Sequence, residues 1–289
     1  MRLAAIDIGS NAIRLQITRV LKNKKGNLDF KKLEYIRFPL RLGRDTFKTG
    51  EISFRSEAKF IKLMQTFRGL IDLYEVDDFY GCATSAMRDA KNGKRILERS
   101  YIESGLNIEL ISGAKEASIL NIALKKHLLT DHDYLLIDVG GGSTEVSIVE
   151  ENTIKDKSSF KLGSVRNMHL KDEKQTWENL RRWIYTNVTP KKHIAVGTGG
   201  NIRTLKDFIK GKEDLVSLES LQKASNYINK FNVQERINEL GLRQDRADVL
   251  PHASDIYLSI MEYANCSQMY IPDIGLKDGI IQMLSDRNM

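Results

Sequence analysis

The sequence predicts an α/β protein made of two similar halves, and three observations carry that prediction. An apolar strand that ends in aspartate and passes through a glycine turn occurs at Leu3-Ala-Ala-Ile-Asp-Ile-Gly-Ser10. It occurs again about half the chain later, at Leu135-Leu-Ile-Asp-Val-Gly-Gly-Gly-Ser143. Amphipathic helical stretches alternate with short apolar strands elsewhere, the order of an α/β fold. The third observation is size: 289 residues with 41% hydrophobic content suit two domains better than one.

Composition excludes several classes of function. The net charge of +7 leans toward polyanionic partners. The basic residues, however, come as short pairs (Lys24-Lys25, Lys31-Lys32, Lys125-Lys126, Arg181-Arg182, Lys191-Lys192) interleaved with acids, which is the pattern of solvated faces and not of a nucleic-acid stripe. The two cysteines, Cys82 and Cys266, give neither a disulfide framework nor metal-ligand spacing, so a reducing compartment fits. Met1-Arg2 runs straight into the first strand, and no apolar run approaches membrane-spanning length. A cytoplasmic protein without a membrane partner is expected.

The repeated turn is where chemistry first shows. Leu135, Leu136, Ile137 and Val139 suit a strand buried on both faces, and Asp138 is out of place there unless it meets a cation or donors. Gly140, Gly141 and Gly142 are expected to take positive φ and, with Ser143, to aim several N–H groups at one point, a nest that favours phosphate. Thr144, Val146 and Ile148 then alternate with Glu145 and Ser147 as a half-exposed strand. Asp7, Gly9, Ser10 and Asn11 repeat the device, followed by Ile13, Leu15 and Ile17 on one face. Two such turns facing each other would make a cleft that grips a phosphate chain, with a divalent cation between the carboxylates. Two independent glycine hairpins are the plainer alternative.

In chain order, residues 22–38 read as a basic hairpin and residues 39–44 as a loop returning positive charge. Ser53 or Ser56 caps a helix to about residue 75, with Phe60, Leu63, Met64, Phe67, Leu70, Ile71 and Tyr74 as its core stripe. A strand over 79–83 delivers Thr84-Ser-Ala-Met-Arg88 to its carboxyl end, where open α/β sheets bind ligands. Arg88 is either a phosphate clamp or one half of a surface salt bridge. A helix over 93–104 and a strand over 108–112 precede a long helix from Gly113 to about Leu129. Glu116, in its first turn, is a capping partner of Ser112, a favourable charge on the helix dipole, or a general base that activates water.

The second half continues with a strand and glycine turn over 160–166, a helix over 177–187 stopped by Pro190, and a strand over 193–197. Thr198-Gly-Gly-Asn201 then turns directly into a helix, so that Gly199, Gly200 and Asn201 make a third anion-competent turn. Residues 221–231 and 233–240 read as helices, and 246–261 as one long helix in which the lone His252 is a packing or hydrogen-bonding residue. Residues 268–271 read as an edge strand, and a closing helix over 279–286 is expected to pack back onto the first domain.

Six stretches together resemble one family along the entire chain: Ala5-Ile-Asp-Ile-Gly-Ser-Asn11, Thr84-Ser-Ala-Met-Arg-Asp-Ala90, Ile111-Ser-Gly-Ala-Lys-Glu-Ala117, Ile137-Asp-Val-Gly-Gly-Gly-Ser-Thr-Glu145, Gly197-Thr-Gly-Gly-Asn-Ile202 and Arg246-Ala-Asp-Val-Leu-Pro251. The family is that of exopolyphosphatases and guanosine pentaphosphate phosphohydrolases (Ppx/GppA). The resemblance implies two ribonuclease H-like domains of the actin/Hsp70/sugar-kinase superfamily around an interdomain cleft, here residues 1–117 with 272–289, and 118–271. It implies hydrolytic release of terminal orthophosphate from polyphosphate or guanosine pentaphosphate, with Mg2+ or another divalent cation, and a homodimer. It also implies Glu116 as catalytic base, Asp138 and Glu145 around metal and attacking water, and Arg88 on the phosphates. Asp7 and Thr144 complete the expected metal and phosphate sets.

Two departures from the family pattern bear on function. Lys115 replaces the first acid of the family's Glu-Glu pair, where it would weaken Glu116 as a base or hold a phosphate. The chain stops before the helical module that longer members carry, which favours short polyphosphate or a nucleotide as substrate. A non-catalytic sensor of polyphosphate or an alarmone nucleotide is the alternative that Lys115 favours. A kinase of the same superfamily would need an acceptor pocket, which the sequence does not reveal.

Overall fold

Strand, carboxylate, four-residue turn and strand recur as the first hairpin of each of two sheets in the computed structural model, which describes residues 1–128, 132–151, 153–169, 174–189, 193–211 and 213–289. The chain divides into two compact units, Met1–Lys126 with Gly275–Met289, and His127–Ile274.

The first unit runs β1 (Arg2–Ile8), β2 (Ile13–Lys22), β3 (Leu28–Phe38), α1 (Leu42–Thr49), α2 (Phe54–Leu73), β4 (Asp78–Ala83), α3 (Ser85–Asp89), α4 (Gly93–Ser104), β5 (Ile108–Leu110) and α5 (Gly113–Leu124). Among the described residues its sheet has five strands in the order β3-β2-β1-β4-β5; β1 is antiparallel to β2 and parallel to β4. β1 is apolar on both faces because it lies inside this sheet with helices to bury it, so Leu3, Ala4, Ala5 and Ile6 are all fully buried.

The second unit runs β6 (Asp133–Val139), β7 (Thr144–Glu150), β8 (Thr153–Phe160), α6 (Arg166–His169), α7 (Lys174–Asn187), β9 (His193–Thr198), α8 (Gly200–Lys206), β10 (Leu215–Ser217), α9 (Leu218–Asn229), α10 (Val233–Asn238), α11 (Gln244–Ala247), α12 (Leu250–Tyr263) and β11 (Gln268–Tyr270). Its sheet, in the order β10-β11-β9-β6-β7-β8, repeats the first order from β8 to β11 and adds one strand. Both units are therefore ribonuclease H-like, the fold class of the actin/Hsp70/sugar-kinase superfamily. The chain then re-enters the first unit as α13 (Leu276–Arg287), which packs on β1 and α5 through Ile280, Ile281 and Leu284, in one core with Leu3, Ala5 and Ile119.

Several expectations are corrected. α1 begins at Leu42, inside the loop expected over 39–44, and Arg41 ahead of it takes a left-handed conformation at φ 59. β7 is buried on both faces, not half-exposed, because it lies inside the sheet between β6 and β8. The strand expected at the start of 160–166 lies mostly upstream as β8, which ends at Phe160, a sheet-edge strand whose polar sequence lacks an apolar alternation. The stretch 246–261 is two helices, since Pro251 sits in the first turn of α12, where its missing N–H costs nothing. β11 is no edge strand, as β10 and β9 flank it. Leu129, Pro190, Lys191 and Lys192 lie outside the described residues.

α2 and α4 lie side by side, with the buried carboxylate of Glu57 (3% exposed) receiving Arg95 at 2.6 and 3.0 Å and Arg99 at 3.1 Å. The Arg95 hydrogen bonds outweigh burial and hold the Glu57 carboxyl below the usual glutamate value of 4.5. A depressed folded-state value stabilises the protein above the unfolded value, and that contribution is lost as pH falls through the folded one. Urea titrations should show Glu57→Gln less stable by about 2 kcal/mol at neutral pH, with a gap to wild type that narrows on acidification below pH 4.5.

Candidate active site

Strand register builds the carboxylate site of the second unit. Asp138 on β6 pairs with Glu145 on β7 and with Thr198 on β9, while Glu145 pairs with Ser159 on β8. Directly paired residues point to the same face of a sheet, so Thr198, Asp138, Glu145 and Ser159 stand in one row. Thr198 Oγ1 donates to Asp138 Oδ1 at 2.8 Å, and Ser159 Oγ donates to Glu145 Oε1 at 2.8 Å. The two carboxylates each offer an oxygen within 4.8 Å of the other. Like charges this close, with Glu145 only 3% exposed, favour a cation between them. An all-oxygen donor set suits a hard divalent ion such as magnesium.

The corresponding row of the first unit is chemically different. Asp7 pairs with Arg14 on β2 and Cys82 on β4, and Arg14 with Arg37 on β3. Arg14 Nη1 donates to Asp7 Oδ2 at 2.6 Å, so this aspartate is neutralised within its own row. Burial pushes the Cys82 thiol up, and the charges of Asp7 and Glu116 push it further.

Both aspartates lead into turns closed in the same way, by Gly9 N–H to the Ala12 carbonyl at 3.2 Å and by Gly140 N–H to the Ser143 carbonyl at 2.9 Å. The segment after each hairpin then ties down the turn carbonyls. Arg41 and Gly43 N–H groups donate to Asn11 and Ser10, while Ser164 and Val165 N–H groups donate to Gly140 and Gly141, and Arg166 Nε donates to Gly142 at 2.6 Å. With the carbonyls held, the N–H groups of Gly141, Gly142 and Ser143 have no acceptor among the described residues. Thr144 Oγ1 turns away to the Leu162 carbonyl at 2.8 Å. The expected positive φ is absent at Gly140, Gly141 and Gly142. Close approach, not left-handed backbone, is what this turn demands: a Cβ on Gly163 would stand 2.6 Å from the Gly142 main chain.

The third turn joins the second. Gly199, at φ 95, precedes α8, and the Arg246 guanidinium packs over Gly200 and binds Asn201 Oδ1. Asn201 Nδ2 reaches Ser164 Oγ at 3.2 Å. The fully buried Tyr257 hydroxyl donates to the Thr198 carbonyl and accepts from Val139 N–H at 3.1 Å. Burial, with the Asp138 charge, pushes this phenol well up, so it stays a donor.

In the first unit, Ser10 Oγ accepts from Ala86 N–H at 3.1 Å at the start of α3. Arg88 Nη1 donates to the Ile111 carbonyl at 2.7 Å, immediately ahead of α5. Ser112 Oγ caps α5 by accepting from Lys115 N–H, so Glu116, one position later and 9% exposed, is not its capping-box partner. Lys115 Nζ binds both Glu109 oxygens at 2.6 and 2.7 Å and lies 5.6 Å from the Tyr80 ring centroid. Lys115 in turn holds the Glu109 carboxyl below its usual range, with the Tyr80 hydroxyl adding to the effect. Arg14, Ser159 and Tyr257 escaped the sequence reading, and Arg246 was singled out only as part of a family stretch, with no role assigned. For Arg14 a signal existed, because it follows Asp7 by the interval at which Glu145 follows Asp138.

Two ribonuclease H-like units, one with a carboxylate pair beside a turn whose Gly141, Gly142 and Ser143 N–H groups have no acceptor among the described residues, define an α/β protein of the actin-like class. The chain belongs to the Ppx/GppA phosphatase family, whose model matches residues 20–287. It is 28% identical over 291 residues to a bifunctional 3-dehydroquinate synthase/phosphatase of Fusobacterium nucleatum, covering 90% of this chain and 43% of that one. It is 23% identical over 300 residues to a guanosine-5'-triphosphate,3'-diphosphate pyrophosphatase of Aliivibrio fischeri, covering 98% and 59%. The chain thus spans about half the length of the curated relatives it matches. The crystal structure of an exopolyphosphatase from Cytophaga hutchinsonii shares the fold, with a TM-score of 0.87 at 22% identity over 99% of this chain and 98% of that one. Among the described residues no helix is long and apolar enough to cross a membrane.

Gly163→Ala should cost about 2 kcal/mol of stability, because the new methyl meets main chain that cannot rotate away. Chemical denaturation measures it, and phosphate release should fall with it as the Gly141–Gly142 turn is displaced. Lys115→Ala should leave phosphate release within about twofold of wild type in a steady-state assay, since its ammonium is engaged by Glu109.

Proposed function

We propose that the protein hydrolyses terminal phosphoanhydride bonds, releasing orthophosphate from inorganic polyphosphate or from the triphosphate end of guanosine pentaphosphate. The observation that supports this most directly is the Asp138–Glu145 pair, fixed by strand register beside the N–H groups of Gly141, Gly142 and Ser143. Membership of a phosphatase family points the same way.

Asp138 and Glu145 are the residues to hold a magnesium ion, which when bound would neutralise phosphoryl oxygens and acidify water. Asp7, expected as a further ligand, is already salt-bridged to Arg14, so the carboxylate pair is kept as the ligand set. Glu116 takes the proton of the attacking water as its oxygen bonds to the terminal phosphorus and the anhydride P–O bond breaks. The turn around Gly9, Ser10 and Asn11, the N–H groups of Gly141 to Ser143, and the Gly199–Asn201 turn bind phosphoryl oxygens. Arg88 adds positive charge, since phosphoryl transfer is chiefly positioning and electrostatics. The sensor alternative rested on Lys115, which is engaged by Glu109, and no other observation favours it.

Phosphate release from tripolyphosphate, long polyphosphate and guanosine pentaphosphate, measured side by side, tests the proposal. Glu116→Gln should reduce release at least about 100-fold while leaving substrate affinity near wild type. Wild-type protein that binds these compounds tightly yet releases no phosphate from any of them would establish the sensor in place of the enzyme.

A further inference from the structure

The two units offer a comparison within one molecule. Asp7 pairs with Cys82 as Asp138 pairs with Thr198, each at the carboxyl end of a parallel strand pair. In the first unit the ladder continues for one more pair, Ile8 with Ala83, and Thr84 N–H then donates to the Ile8 carbonyl at 3.0 Å. In the second unit it stops at Asp138 and Thr198. Val139 and Gly199 would form the next pair, and there the backbone turns to φ 95 at Gly199.

A side chain sits where this ladder stops. The Tyr257 hydroxyl accepts from Val139 N–H and donates to the Thr198 carbonyl, the donor and acceptor that a parallel rung would have joined directly. A hydroxyl can be inserted in this way because it donates and accepts at once. The ring is fully buried on α12, so its position is set by the core of the second unit. Gly199 lies against both parties: a Cβ there would stand 3.1 Å from Asp138 Oδ1 and 3.6 Å from Tyr257 Oη.

We propose that Tyr257 is a positioning residue, a wedge whose hydroxyl stops β6 and β9 from zipping past Asp138 and so sets the separation between the Asp138 carboxylate and the Gly199–Asn201 turn. The proposal rests on Asp138 as a cation ligand, as given above. Without the hydroxyl, either Val139 N–H and the Thr198 carbonyl are left buried and unpaired, or the strands close by one pair. The latter would draw Asp138 and Gly199 together. Closure shifts the carboxylate relative to Glu145, although Tyr257 itself touches neither cation nor phosphate.

The test is Tyr257→Phe, with Mn2+ affinity measured by electron paramagnetic resonance on protein free of substrate, alongside kcat on tripolyphosphate and thermal unfolding. We expect the Mn2+ Kd to rise and kcat to fall by about tenfold or more in the folded variant, the range seen when a group supporting a metal ligand is removed. A variant that melts earlier but binds Mn2+ within about twofold of wild type and keeps its kcat overturns the wedge, because a purely structural tyrosine would behave so. Should the Phe variant not fold, 4-aminophenylalanine at the same position keeps a donor for Thr198 but accepts poorly from Val139. Its Kd should then exceed that of wild type, and an unchanged Kd overturns the proposal. Wild-type protein that neither binds Mn2+ nor releases phosphate sinks the reading of Asp138 itself, a result distinct from failure of Tyr257 alone.

Discussion

The hydrogen-bond register of β6 against its two neighbours is the constraint on which the rest depends. Asp138 faces Glu145 only because β7 pairs with β6 in this frame, and it meets Thr198 only because β9 does the same from the other side. A slip of one residue would send every side chain of the strand to the opposite face. Leu135, Ile137 and Val139 belong to the core of the second unit while Asp138 points the other way, so a slip would carry the carboxylate into that core. Placing two carboxylates together is unfavourable, and the burial of three aliphatic neighbours offsets it.

The same scaffold used twice has taken two electrostatic characters. In the first unit the residue opposite the aspartate is Arg14, with Arg37 beyond it, and the row carries excess positive charge; in the second it is Glu145, and the row carries excess negative charge. Duplication of a fold therefore did not duplicate a site. One copy supplies a carboxylate locked to its own cation, and the other sets two carboxylates side by side.

Much of this was legible in the sequence where the signal was local. The two Asp-Gly turns, the Ser53 cap, the α2 stripe and the helix over 93–104 all follow from residues near one another. The equivalence of Arg14 and Glu145 was also present, as a matter of aligning the repeat with itself. The partners Ser159 and Thr198 were not legible as partners, because strand register over long separations is decided by the assembled core. Tyr257 arrives from a helix more distant still. β8 was missed for a different reason: an edge strand facing water has no apolar alternation to betray it. The positive φ expected at Gly140 to Gly142 is absent, and the close approach at this turn falls on Gly163, whose place behind Gly142 is set by the assembled fold and not by local sequence.

The return of α13 to the first unit has a consequence for how the protein is made. Leu276, Ile280, Ile281 and Leu284 complete a core whose other members, Leu3 and Ala5 among them, leave the ribosome about 270 residues earlier. The second unit is continuous in sequence and can close as soon as it has emerged, whereas the first must wait, with part of one sheet face uncovered, until the final helix arrives. The unit encoded first is thus the last to finish folding, and during that interval its exposed strand face is the part of the nascent chain most open to misassociation.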